Sequence, residues 1–81
     1  MDASPPVRLV DLDPGVVVRV VAVPAPEADR LAAEGLHRGD LVEVEARLPL
    51  GGPVVVRLGR ARVALARQVA AQIAVERRDA P

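Results

Sequence analysis

The stretch Arg30–Pro53, RLAAEGLHRGDLVEVEARLPLGGP, decides the fold. It begins as a short helix and stops at Gly35, a residue able to take the left-handed conformation that closes helices. Leu36, just beyond the stop, is placed to pack back on Leu31 in a Schellman-type closure, and so belongs to the core. His37-Arg38-Gly39-Asp40 then makes a turn whose positive-φ position suits Gly39. Next, Val42, Val44, Ala46 and Leu48 alternate with Glu43, Glu45 and Arg47, a half-buried strand. Pro49-Leu50-Gly51-Gly52-Pro53 closes the stretch as a loop between strands.

The same reading extends outward in both directions. Asp13-Pro14-Gly15 is a turn signal, and a strand follows over Val16–Val23, with Val16, Val18, Val20 and Ala22 on one face and Arg19 on the other. Pro24 and Pro26 end it, Pro26 being acceptable in a first helical turn, where Glu27 and Asp29 complement the positive helix terminus. Ala28, Leu31 and Ala32 share one helix face. After the loop, Pro53 starts a strand with Val54, Val56 and Leu58 inward. Gly59-Arg60 is a two-residue hairpin turn, and Ala61, Val63 and Leu65 return. Ala66–Ala71 is long enough for one helical turn, which leads to Ile73 and Val75 in a last strand with Ala70 packed beneath. The expected fold is all-β: a small, partly open barrel of about five strands with one short inserted helix and a terminal helical turn, since curling the sheet protects edges that a flat one exposes. Residues 1–8 and 78–81, rich in Pro, Ala and charge, read as flexible tails around a domain at 9–77.

Composition narrows the function. The chain has 81 residues, enough for one domain near the lower limit of a self-sufficient core. It holds no Phe, Tyr or Trp, so the core must be aliphatic, and its abundant valine favours strands. Basic and acidic residues balance at 11 each, with no lysine among them. Nucleic-acid binding normally shows a basic excess and, for single strands, aromatic stacking platforms; neither is present. The absence of cysteine removes disulfides and thiolate metal sites. The opening Met1-Asp2-Ala3-Ser4-Pro5-Pro6 is not a basic segment followed by an apolar run, and no stretch is long enough for direct membrane insertion. The expected setting is cytoplasmic.

Chemistry-bearing motifs are few. Ser4 is the single hydroxyl side chain, so no nucleophile, triad or other catalytic residue is assigned and the chain is not expected to be an enzyme. His37 and Asp40 together fall short of the three or four ligands of a zinc site. Asp11-Leu12-Asp13-Pro14-Gly15 opens like a calcium loop, but its glycine arrives one position early and no Glu closes it. Gly51-Gly52 lacks the Lys-Ser or Lys-Thr of a phosphate loop. A polyproline groove would need aromatic walls. No metal or cofactor is expected.

Taken together, Leu12-x-x-Gly15, the Val16–Val23 strand, Arg30-Leu31 with Gly35-Leu36, Gly39, the loop Pro49–Pro53, Val63-Ala64-Leu65, Ala70 and Ile73-x-Val75 follow an order and spacing that resembles the FeoA family of bacterial ferrous iron uptake. The sequence departs from that pattern at Glu34, Arg38, Ala66 and Gln68-Val69. The resemblance implies an SH3-like barrel acting as a cytoplasmic accessory protein that binds the cytoplasmic region of the membrane transporter FeoB, with its G-protein domain, and modulates its activity without a cofactor. Self-association is compatible with this role. The residues expected to touch the partner are Leu50, Arg47, Arg57 and Arg67. Leu50 has two readings: an apolar tip that docks into a partner, or a side chain folded back over one barrel end. A competing reading is a regulatory or dimerisation module similar to the C-terminal domain of iron-dependent repressors. No helix-turn-helix precedes the barrel, which favours the adaptor.

Overall fold

Strand-forming valines at alternate positions need a second layer to bury their inner face, and the chain supplies it by curling one sheet on itself. A computed structural model describes residues 7–78. In chain order the elements are β1 (Val7–Arg8), a 3-10 turn (Leu9–Asp11), β2 (Val17–Ala22), α1 (Ala25–Ala33), β3 (Leu41–Arg47), β4 (Val54–Leu58), β5 (Ala61–Leu65), α2 (Arg67–Ala70) and β6 (Ala74–Arg77). They form one six-stranded sheet in the order β1-β6-β2-β3-β4-β5, with every pairing antiparallel. The ends of that order do not pair with each other, so the barrel is unclosed.

The core is aliphatic throughout. Val18 and Val20 of β2, Val42 and Val44 of β3, Val54 and Val56 of β4, and Val63 and Leu65 of β5 face inward, with Leu9, Leu12, Leu31, Leu36, Ile73 and Val75 closing around them. Each such side chain contributes roughly 1.5–3 kcal/mol by leaving water. No helix among the described residues is long and apolar enough to cross a membrane.

The end of α1 has the hydrogen bonding that the sequence pattern predicts. Gly35 takes φ +95° and donates to the Ala32 carbonyl at 2.9 Å, while Leu36 donates to the Leu31 carbonyl at 2.9 Å. These are the two bonds of a Schellman motif, and the accompanying leucines are both buried, Leu36 being 1% exposed. The turn that follows is fastened to the sheet: Gly39 donates to Val20 at 2.7 Å and Val20 donates back to Asp40 at 2.9 Å.

Four expectations need correction. The sequence places a flexible tail before Leu9, but Val7 and Arg8 form β1 against Val75 and Ala74, giving six strands in place of about five. A two-residue strand carries no readable period, and its formation depends on β6 offering an edge. At the other end, Arg78 lies just past β6 and donates to Val17 of β2 at 3.3 Å; the rest of both predicted tails lies outside the described residues. Ala22, expected inward, is exposed because the β2–β6 register shifts between Val20 and Ala22. A second shift, between Val44 and Ala46, leaves Ala46 half-buried and Leu48 41% exposed where strict alternation would bury both. An extra residue in one strand turns every later side chain to the other face. Last, Ile73 is buried as expected but sits just before β6, where its carbonyl accepts from Leu9 at 3.0 Å.

Candidate functional site

The β3–β4 connection is where the structure departs most from what stability alone would choose. Gly52 donates to the Pro49 carbonyl at 3.1 Å, closing a turn whose central residues, Leu50 and Gly51, have φ +61° and +74°. Two positive φ values define a type I′ turn, which Asn-Gly or Gly-Gly fills most easily. Leucine in the left-handed region costs roughly 1–2 kcal/mol, and among the described residues Leu50 is the one non-glycine with positive φ. Its side chain is 102% exposed, so no contact offsets that cost. Of the two sequence readings of Leu50, the structure has the outward tip; the side chain does not fold back over the barrel end.

Beneath the turn lies Arg67, the first residue of α2. A Cβ added to Gly51 would stand 4.0 Å from its Nε, and that Nε is buried without a hydrogen-bond partner. A buried, unpaired N–H costs about 1–3 kcal/mol. Gly52 is confined as well, since a Cβ there would come to 3.0 Å from the Pro49 carbonyl oxygen. Arg47, at the end of β3, is tied back to the turn before β2, with Nη1 3.6 Å from Asp13 Oδ1. Nothing in the sequence signals that pairing, which arises because the two turns meet at one end of the barrel.

Of the four expected contact residues, then, Leu50 is carried by the turn that Arg67 underlies through Gly51, and Arg47 sits at the base of the same loop. Arg57 does not join them. It lies three positions beyond Val54 along β4, about 10 Å from the loop end, with Glu43 and Arg62 as its cross-strand neighbours. Alternation told which face Arg57 occupies but not which end of the barrel.

Elsewhere the ionisable groups make local surface pairs. His37 Nδ1 is 3.4 Å from Asp40 Oδ2, and the Asp40 carboxylate also accepts from the His37 backbone N–H at 2.8 Å. On α1, Arg30 Nη2 lies 2.6 Å from Glu27 Oε1, a hydrogen bond and charge that raise the arginine above its usual pKa. Among the described residues no three His, Asp or Glu side chains are grouped so as to hold a metal ion.

Comparison with known proteins supplies what the geometry does not. In a search of curated protein sequences, nothing matches. Among solved structures, the FeoA protein from Chlorobium tepidum is 28% identical with a TM-score of 0.81, covering 90% of this chain and 71% of that one. A crystal structure described as an iron uptake regulatory protein (FeoA) is 26% identical with a TM-score of 0.78, covering 89% and 96%. A manganese-dependent transcriptional repressor is 25% identical with a TM-score of 0.80 over 95% of this chain, which spans only 44% of the repressor. The likeness to the repressor establishes the SH3-like barrel as a fold shared by uptake and regulatory proteins. The FeoA domain profile covers residues 7–77, from the strand that the sequence had hidden to the end of β6. With nearly every described residue inside that match, and the helix cap, turn and loop in its order, the chain belongs to the FeoA family.

Proposed function

We propose that this protein is a cytoplasmic accessory protein of ferrous iron uptake that binds the cytoplasmic region of the FeoB transporter, around its G-protein domain, and modulates transport without catalysing a reaction. Family membership implies an accessory role in ferrous iron transport. The observation that carries the finer reading is Leu50: an apolar side chain held fully in solvent by an unfavourable backbone has a use only when something covers it. Arg67, half-buried beneath the same turn, brings a guanidinium charge to that surface, suited to a carboxylate on the partner. Leu50, Arg67 and Arg47 form the proposed contact.

A second reading, a regulatory or dimerisation module, draws support from the repressor likeness. The two readings differ in partner. Purified protein is to be mixed with the cytoplasmic region of the cognate transporter in GTP-bound and GDP-bound states. The first reading expects capture in at least one state and its loss in Leu50→Asp, with the variant's melting temperature not lowered. No capture by folded wild-type protein in either state, with dimers in sedimentation analysis, would favour the module.

A further inference from the structure

Beyond the β4–β5 hairpin the sheet stops, so that the outer side of β5 is a free edge. Among the described residues no strand other than β4 pairs with β5. Gly59 and Arg60 form the two-residue turn, with Gly59 at φ +56°, and Leu58 and Ala61 are its flanking pair. In such a hairpin the flanking pair is hydrogen-bonded and the pattern alternates from there. Val63 and Leu65 therefore bond back to β4, while the N–H and C=O groups of Arg62 and Ala64 point away from it. Among the described residues no backbone partner outside the hairpin reaches either residue, and both are exposed.

This free edge carries an uneven charge. Arg57, Arg60 and Arg62, with Gly59, line an open cleft of about 490 Å³. Arg57 and Arg62 stand directly opposite each other on adjacent strands, an arrangement that destabilises a sheet when the charges are alike. Arg62 is balanced by Glu45, with Nε 2.8 Å from Oε1. Among the described residues, Arg57 and Arg60 have no carboxylate within ion-pairing distance.

We propose that the β5 edge accepts an extended, acidic segment of a partner protein as an added strand, its backbone pairing with Arg62 and Ala64 and its Asp or Glu side chains meeting Arg57 and Arg60. Strand addition takes affinity from main-chain hydrogen bonds and specificity from alternate side chains, and here both halves are adjacent. The charge excludes the simplest rival occupant. A second copy pairing through its own β5 would bring arginines against arginines, so the groups that keep two copies of this edge apart are those that select an acidic strand. The inference holds whichever protein supplies the segment, and it concerns a different end of the barrel from the Leu50 loop.

The test is a titration of isotope-labelled full-length protein with a capped peptide alternating Glu and Val, followed by amide chemical shifts and hydrogen exchange. Saturable shifts are expected at the Arg62 and Ala64 amides, with exchange there slowed about tenfold or more at saturation. The double variant Arg57→Gln, Arg60→Gln should weaken binding about tenfold. Ala64→Pro should abolish binding while keeping the sheet, because proline is tolerated on an edge where the N–H faces outward. Should that variant not fold, the same peptide with its alternate amides methylated removes the bonds from the other side and must fail to bind. The proposal is overturned by no saturable shift at millimolar peptide, or by equal binding of a Lys-Val peptide, the methylated peptide or the double-glutamine variant. Protection of Arg62 and Ala64 that grows with protein concentration in the absence of peptide also overturns it, since a second copy would then be the occupant.

Discussion

Replacing Leu50 with asparagine should make the protein more stable and, on the proposed function, less useful. The turn needs positive φ at both central positions, and Leu50→Asn converts Leu-Gly into the Asn-Gly pair that type I′ turns favour. The left-handed penalty of roughly 1–2 kcal/mol on leucine is then mostly relieved. Nothing is lost in exchange, because a side chain 102% exposed buries no apolar surface. The net gain should be about 0.5–1.5 kcal/mol, and at roughly 4–8 °C per kcal/mol for a domain of this size the midpoint should rise by about 2–12 °C. The chain has no aromatic residue, so melting and urea unfolding are followed by far-ultraviolet circular dichroism. Binding to the transporter's cytoplasmic region is measured on the same sample. A fall in stability of more than about 0.5 kcal/mol would refute the reasoning, since it would mean that Leu50 rests on the barrel in solution. Higher stability with unchanged binding would leave the fold argument intact and sink the proposed contact.

Other outcomes follow from the same structure. Leu36→Ala should lower stability by about 2–5 kcal/mol, read by urea unfolding, because it empties the core position that closes α1. Gly52→Ala should lose about 1–3 kcal/mol through the 3.0 Å approach of its Cβ to the Pro49 carbonyl, whereas Leu48→Ser, at a 41% exposed site, should lose far less than a buried leucine would. A double-mutant cycle on Asp13→Ala and Arg47→Ala should return no more than about 1 kcal/mol of coupling, as expected for a 3.6 Å pair at the surface.

How much the sequence discloses depends on whether a signal is local. The Schellman closure is legible because Leu31, Gly35 and Leu36 hold all its parts within one turn of chain, and the Gly59-Arg60 hairpin for the same reason. The outward position of Ala22 and Leu48 is not, because a bulge is a mismatch between two strands and only one is visible at a time. Val7 and Arg8 are strand residues by virtue of β6, nearly the whole chain away. In the candidate site, Leu50 stands out as an apolar residue at a loop tip, and the structure adds the backbone strain that makes its exposure meaningful. Arg67 is buried at Nε close beneath Gly51 of the loop, and Arg57 lies toward the other end of the barrel. Both facts belong to the assembled sheet rather than to any segment of it.

The paired bonds between Val20 and the Gly39-Asp40 turn have a consequence for how the domain tolerates change. They join the base of the excursion that carries α1, so the chain leaves β2 and returns to β3 through a closed neck. The alignment of those two strands is held below the helix and does not depend on the path taken above it. Closing a longer path costs little, about 0.6 kcal/mol for each doubling, provided Leu31 and Leu36 still reach the core. Relatives of this chain can therefore lengthen or reshape that excursion and keep the same barrel, which makes it the natural place for the fold to diversify.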